Sequence, residues 1–320
     1  MITINYLSHN RKNFWKYWEI TSHFLNKIKP ENKSKIKLNI LSTKNYNWEN
    51  DIDGIKFEVH TFPDVELNYM QKINVALEET NKYSVKLDED CFISNYVWDY
   101  IIENIDILDD EDNFILTPVL SNGIPHTDRF VESFIEDVWT RGAIYRNYLN
   151  QEMPNGLWGA NYAPLNAYTI DANTWDSKAF FEGVSNLNTH LKGIHPIRIC
   201  ANAQILLNDY ILNNFDKIQS KHNYSIKKFT EPYYTTSTFI IKTEDWRRLL
   251  EIGAYDSFDE IQLNLYKEKY NKNFLYIENG FGIHTLYNTI YGNQNIWNIG
   301  MEDGYTYEEN FVDSIIEKLK

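Results

Sequence analysis

Apolar residues along the chain fall into two alternating kinds of segment. Short runs, Ile2 to Leu7 (ITINYL), Ile36 to Ser42 (IKLNILS), Ile55 to Phe62 (IKFEVHTF), YSVKL from Tyr83, and Phe114 to Leu120 (FILTPVL), have the length and β-branched or aromatic content of strands. Between them, FWKYWEITSHFLNKI, VELNYMQKINVALEET and SNYVWDYIIENI carry apolar residues at helical spacing, with Leu67, Met70, Ile73 and Leu77 on one face of the second. Strands alternating with amphipathic helices predict an α/β layer architecture with a largely parallel sheet, in which ligands sit beyond the carboxyl ends of the strands.

From Ser121 to about Pro232 the pattern is irregular and rich in Asn, Pro and aromatics, with helices expected at RFVESFIEDVW and RICANAQILLNDYIL. Regularity returns with the strand TSTFIIKT (Thr236 to Thr243), the short helix TEDWRRLLEIG closed by Gly253, the helix FDEIQLNLYKEKYNK, the strand FLYIE and the amphipathic tail YEENFVDSIIEKLK. With no repeat and no Gly/Ser linker, residues 1–320 are expected to form one domain: a ligand-binding half (1–120), an insertion (121–232) and a closing part (233–320).

Composition narrows the class. Over 320 residues, 43% apolar and 15% aromatic content is ample for a packed core. No segment combines basic residues with an apolar stretch of signal-peptide length, and none approaches the ~20 apolar residues of a membrane span, so no stable membrane insertion and a cytoplasmic location are expected. The two cysteines, Cys91 and Cys200, each lie in an apolar segment, so neither a disulfide framework nor a cysteine metal site is expected. A net charge of −14 disfavours broad binding to nucleic acid or anionic membrane.

Candidate chemistry centres on YSVKLDEDCFIS, where an apolar run ends in Asp88, Glu89 and Asp90. Asp-x-Asp occurs three times, as Asp51/Asp53, Asp88/Asp90 and Asp110/Asp112. The first precedes Gly54 in a polar turn and the third lies in the acidic loop LDDEDN; only the middle pair is flanked by apolar segments that can hold it in place. Oxygen ligands at a strand tip suit a hard divalent ion, Mg²⁺ or Mn²⁺, rather than zinc; a solvated turn is the plain alternative. Downstream, Asp259 and Glu260 stand where a helix begins, and ENGFGIHTLYN puts His284 in a Gly-rich loop after a strand. Ser257 to Glu260 also fits a capping box, and His284 can equally be a loop histidine satisfied by a carbonyl.

Taken together and in this order, YSVKLDEDCFIS, GAYDSFDEIQLNLY and GFGIHTLYN resemble the metal-dependent GT-A glycosyltransferases, which transfer a sugar from a nucleotide diphosphate donor. The resemblance covers about two thirds of the chain and leaves Ser121 to Pro232 unmatched. It implies a GT-A-type fold, a Rossmann-like, mostly parallel central sheet flanked by helices with an elaborated insertion and a C-terminal helix. It also implies a Mn²⁺ or Mg²⁺ cofactor and a nucleotide-sugar donor, a UDP-sugar by preference. By the same resemblance Asp88, Asp90 and His284 hold the metal, with Asp90 the direct ligand, Asp88 acting through a metal-bound water or as a contact to the donor ribose, and His284 the remaining protein ligand. Ser8 and Arg11, in the polar turn SHNRKN, lie near the nucleotide, and Asp259 and Glu260 face the acceptor. The family's acidic pair usually runs Glu then Asp, the reverse of the order here, which leaves the base open between the two.

Several residues have plain readings beside these. Arg11 can sit on the solvent side of the first helix. His195 and Arg198, in HPIRICANAQ, are better explained by a turn followed by a helix, and Trp158 and Tyr162 can stack on a ligand or wedge a loop onto the core. A nucleotidyltransferase and a non-catalytic carbohydrate-binding protein are the competing functions; SHNRKN lacks the glycine of a phosphate loop, which counts against the first. The acceptor is left open among a glycan, a small molecule, a protein and a hydroxylated base in DNA.

Overall fold

The computed structural model describes residues 1–8, 13–43, 46–48, 52–62, 72–73, 76, 81–122, 126–149, 201–230, 237–251, 259–285 and 301–320, with the backbone alone described at 145–149, 201–204, 250–251, 259–262, 265 and 301–307. Expectations for His195, Arg198, Trp158 and Tyr162, for most of the helix around Met70, and for Arg11 fall outside these residues.

The chain opens with β1 (Ile2–Leu7), α1 (Phe14–Asn26), the single turn α2 (Pro30–Lys33), β2 (Ile36–Ser42) and β3 (Lys56–Thr61). Next come β4 (Tyr83–Asp88), β5 (Cys91–Ile93), α3 (Asn95–Asn104) and β6 (Asn113–Leu120). The middle holds α4 (His126–Phe134), α5 (Val138–Leu149), α6 (Ala201–Asn213), α7 (Phe215–Gln219) and β7 (Ser225–Lys228). The last elements are β8 (Thr238–Lys242), α8 (Thr243–Glu251), α9 (Asp259–Tyr270), β9 (Asn273–His284) and α10 (Met301–Leu319).

Among the described residues, one nine-stranded sheet runs in the order β3-β2-β1-β4-β8-β6-β9-β5, with β7 also paired to β9. Strands β3, β2, β1 and β4 are mutually parallel, β8 is antiparallel to both β4 and β6, and β6 is parallel to β9. Reversing direction twice across β8 leaves β6 and β9 running the same way as β4, so the sheet is mostly parallel and its carboxyl ends gather along one edge. This is the mostly parallel α/β layer architecture that the alternation of strands and helices predicts, and strands from both ends of the chain share the one sheet.

Alternation along each strand divides the core into two clusters, one per face. Ile2, Ile4 and Tyr6 of β1 join Val85 and Leu87 of β4 and Trp98 and Ile101 of α3. On the other face Phe239 and Ile241 of β8 join Phe274 and Phe281 of β9, Phe24 of α1, and Phe311, Val312 and Ile315 of α10. The central strands are polar as well as apolar, and two of their buried amides pair across the sheet: Asn5 Nδ2 donates to the Val85 carbonyl at 3.2 Å, and Asn39 Nδ2 to Asn5 Oδ1 at 3.1 Å. At the entry to α3, Ser94 Oγ accepts from the Val97 amide at 3.4 Å, the N-cap expected of serine in that position.

The structure differs from the sequence expectation at β9. FLYIE was expected as a short strand with His284 in a loop beyond it, whereas β9 continues to His284 and β7 pairs with its first half. Register between β6 and β9 shifts between Pro118 and Val119, so that Pro118 faces Ile277 and Val119 faces Phe281. Asn279 takes up the extra length with a φ of 61°, a conformation asparagine tolerates well. Gly280 completes the irregularity: a Cβ there would stand 2.7 Å from Ile277 Cγ2 and 2.9 Å from the Ile277 carbonyl oxygen. Since a backbone atom cannot swing aside, Gly280→Ala is expected to lower stability by about 1–3 kcal/mol. Urea denaturation should show it as a lower midpoint at unchanged slope.

Candidate metal and donor site

Parallel pairing sets the site's base. The β1–β4 register runs from Ile2 opposite Tyr83 to Leu7 opposite Asp88, so the chain leaves both strands at the same level. Ser8 and Glu89 follow directly. The Glu89 amide donates to the Leu7 carbonyl at 3.1 Å and the Ser8 amide to the Leu41 carbonyl at 3.0 Å, which carries the sheet pattern past the strand ends. Ser8 Oγ donates to Glu89 Oε2 at 2.9 Å, and both residues are buried. Of the three consecutive acids, the middle one therefore turns inward onto the β1 exit.

Burial separates Asp88 and Asp90 from Asp53, Asp110 and Asp112 of the other two Asp-x-Asp pairs. Asp110 and Asp112 are exposed, with the Asp112 amide folded onto Asp110 Oδ1 at 3.0 Å, and Asp53 is exposed in its turn. Asp90 is only 2% exposed. Asp88 shares a face of β4 with Lys86, whose ammonium stands 3.1 Å from Asp88 Oδ2; the side chains are 6% and 14% exposed. Sequence alone did not single out Lys86, although its place two residues before Asp88 on a strand puts both side chains on one face.

Residues far apart in sequence meet at Asp90. Strand β5 runs antiparallel to β9 with Cys91 opposite His284, and the Thr285 amide donates to the Asp90 carbonyl at 3.0 Å, one step beyond that ladder. The carboxylate of Asp90 and the ring of His284 face each other, Oδ2 to Nε2, at 3.4 Å, each side chain 3% exposed. The other ring nitrogen, Nδ1, lies 3.3 Å from Ser237 Oγ and 3.4 Å from the Asn122 carbonyl oxygen, and the His284 amide donates to Ser121 Oγ at 3.1 Å.

That arrangement has a chemical consequence. A carbonyl oxygen can only accept, so in the tautomer that donates from Nδ1 to Asn122 the Nε2 lone pair faces Asp90; in the other, Nδ1 accepts from Ser237 Oγ and Nε2–H donates to Asp90. In the first tautomer a lone pair faces a carboxylate oxygen in a buried site, which is repulsive until a metal ion lies between them. Two ligands bound side by side on an octahedral ion at ~2.1 Å stand about 3 Å apart, close to the observed spacing. The residues thus fit a divalent ion: one carboxylate, one oriented imidazole, and a position at the carboxyl edge of the sheet. Among the described residues, the group whose possible ligand atoms all lie within 4.8 Å of one another is Asp90, Cys91 and His284, all buried. Asp88 is outside that group, held by Lys86. Cys91, for which no metal role was expected, is inside it; only the β5–β9 register reveals the proximity.

A second layer fixes these side chains from behind. Glu308 of α10 accepts from Thr285 Oγ1 at 3.1 Å and from the Tyr17 hydroxyl at 3.0 Å, and it is 2% exposed. Lys16 of α1 pairs with Glu309 at 3.1 Å and with Asp313 at 2.7 Å on the same helix. The last helix therefore ties α1 to the segment that carries His284. Its sequence contained a signal: Glu308 falls three and four positions before Phe311 and Val312, on the stripe that packs inward.

Asp259 and Glu260 are the first two residues of α9, which follows β8 and α8 and precedes β9. Their side chains, like all of Arg11, lie outside what the structure describes. Among the described residues, no helix is long and apolar enough to cross a membrane.

No protein-family model matches the chain, and no curated protein matches it in sequence. Among solved structures, a crystal structure of an active-site mutant of LgtC, a GT-A glycosyltransferase, aligns over 87% of this chain and 68% of that one, at 11% identity and a TM-score of 0.29. A superposition at that score carries no argument about activity.

Proposed function

We propose that this protein is a glycosyltransferase that moves a sugar from a nucleoside diphosphate donor, by preference a UDP-sugar, to a hydroxyl acceptor, with a divalent ion, Mn²⁺ or Mg²⁺, held by Asp90 and His284. The observation that carries this is the buried Asp90–His284 pair at the carboxyl edge of a mostly parallel sheet, where an imidazole nitrogen and a carboxylate oxygen stand 3.4 Å apart, at the spacing of two ligands on one ion. An ion bound there supplies Lewis-acid neutralisation of the negative charge that develops on a departing diphosphate.

The chain's own residues take the remaining parts. Asp88, oriented by Lys86, faces the donor ribose or a water on the ion, so the Lys86–Asp88 pair sets the angle at which the donor enters. Ser8, by holding Glu89, keeps the β1 exit open as the nucleotide edge, and Arg11 supplies positive charge beside it. One carboxylate of the Asp259–Glu260 pair takes the acceptor proton if the anomeric centre inverts. Residues 1–320 act as one catalytic unit, with 1–120 holding the nucleotide, 121–232 shaping the acceptor side and 233–320 completing the metal and acceptor sites. The acceptor is a hydroxyl of a glycan, a small molecule, a protein or a modified DNA base.

Hydrolysis of a panel of nucleotide sugars without acceptor, with Mn²⁺ and with EDTA, tests the activity. Release of nucleoside diphosphate from at least one sugar nucleotide, abolished by EDTA, is the expected result. Release of pyrophosphate from a nucleoside triphosphate and a sugar phosphate instead identifies a nucleotidyltransferase, and sugar binding without any turnover identifies a non-catalytic carbohydrate-binding protein.

A further inference from the structure

We propose that Cys91 contributes a thiolate to the same site, making it an Asp90–Cys91–His284 centre that takes a first-row transition ion, Mn²⁺, Co²⁺ or Zn²⁺, in preference to Mg²⁺. This rests on the metal reading above and extends it by naming a ligand and a class of ion.

Three observations support it. Cys91 and His284 are direct register partners across the β5–β9 ladder, and opposite residues in a ladder project from the same face. Their side chains therefore approach the Asp90 carboxylate from adjacent strands, without any loop whose position has to be assumed. The second is distance. Three atoms mutually within 4.8 Å share a point no more than about 2.8 Å from each, against metal–ligand bonds of ~2.3 Å for sulfur and ~2.0–2.1 Å for imidazole. Side-chain adjustments of at most about half to three-quarters of an ångström close the gap. The third is burial: all three residues are enclosed, so a bound ion exchanges few of its protein contacts for bulk water.

A bulky, polarisable sulfur decides the ion. Mg²⁺ binds oxygen in a tight octahedron and keeps its waters, whereas thiolate and imidazole favour the later first-row ions. On binding, the Cys91 S–H bond breaks, its proton leaves to the solvent, and a sulfur–metal bond forms; no oxidant or reductant is needed. Three protein ligands leave positions open on the ion for phosphate oxygens, so a thiolate ligand is compatible with donor binding.

The test is titration of the full chain, stripped of metal, with Co²⁺, followed by absorption spectroscopy and by calorimetry. A near-ultraviolet sulfur-to-cobalt charge-transfer band at one equivalent is the expected result, present in Cys200→Ser and missing in Cys91→Ser. Cys91→Ser is expected to bind Co²⁺ and Zn²⁺ about tenfold or more weakly, with Mg²⁺ affinity unchanged. Stoichiometric Co²⁺ binding without the band in the unsubstituted protein overturns the thiolate ligand, whether or not Cys91→Ser folds, and leaves the Asp90–His284 reading intact. Absence of binding by any divalent ion overturns both.

Discussion

Asp90→Asn is expected to lower metal-dependent release of nucleoside diphosphate by about a hundredfold or more, while the protein still folds. Substitutions that only touch a metal ligand from behind typically cost ~10–100-fold, and this one removes the charge of a ligand itself. The asparagine amide also presents either a neutral oxygen or an N–H toward His284, and neither compensates a divalent ion. Folding should survive because the backbone contacts of residue 90 stay: its carbonyl still accepts from Thr285 at 3.0 Å, and β5 still pairs with β9. Circular dichroism and the urea midpoint report the fold, and the hydrolysis assay reports the site. Asp53→Asn and Asp112→Asn, in the two exposed turns, are expected to be nearly neutral in both. Equal loss in all three variants points to a general effect of charge; full activity of Asp90→Asn removes Asp90 from the metal site.

A second large effect is expected at the start of α9. Adjacent helical residues point about 100° apart around the axis, so Asp259 and Glu260 cannot both address one acceptor hydroxyl. If Glu260 is the base, Glu260→Gln should reduce transfer by on the order of a hundredfold and leave donor hydrolysis and metal binding far less changed, since neither needs the acceptor proton removed. If Glu260 instead folds back in a capping box with Ser257, glutamine preserves the cap and the severe loss moves to Asp259→Asn. The expected outcome is the first, because a reach-back side chain is free to leave the cap when a substrate competes for it. Little loss in either variant assigns the reaction to a retaining course in which neither carboxylate takes the proton.

The alternation of strands and helices was legible because each β-strand of the sheet's parallel half is a short apolar run bounded by polar turns, and burial of both faces of β1, β2 and β4 enforces that pattern. Apolar neighbours on both sides of Asp88–Asp90 marked a segment held in place, and Asp88 and Asp90 are less exposed than Asp53 and Asp112. The extension of β9 to His284 was not legible: two glycines and an asparagine in ENGFG read locally as a loop, and the strand persists because β6, β7 and β5 each pair with it. Cys91 was missed for a related reason. A cysteine in an apolar run looks like core, and its nearness to His284 follows from a pairing between residues almost two hundred positions apart, which no local pattern encodes. Lys86 and Glu308 are charges on faces that otherwise pack inward, and an inward charge in an amphipathic element is a signal that a buried partner exists, though not which one.

The central claim is that a metal ion at Asp90 and His284 carries the diphosphate, and thermal unfolding with UDP in the presence of Mn²⁺ or EDTA tests it most directly. A diphosphate meeting Asp88 and Asp90 without an intervening cation is repelled, so UDP alone should give no shift. With Mn²⁺ present, stabilisation should follow mass action and reach about 2.7 kcal/mol at a hundredfold excess over the dissociation constant, and Asp90→Asn and His284→Ala should abolish it. Equal shifts with Mn²⁺ and with EDTA, or an undiminished shift in both variants, would contradict the account.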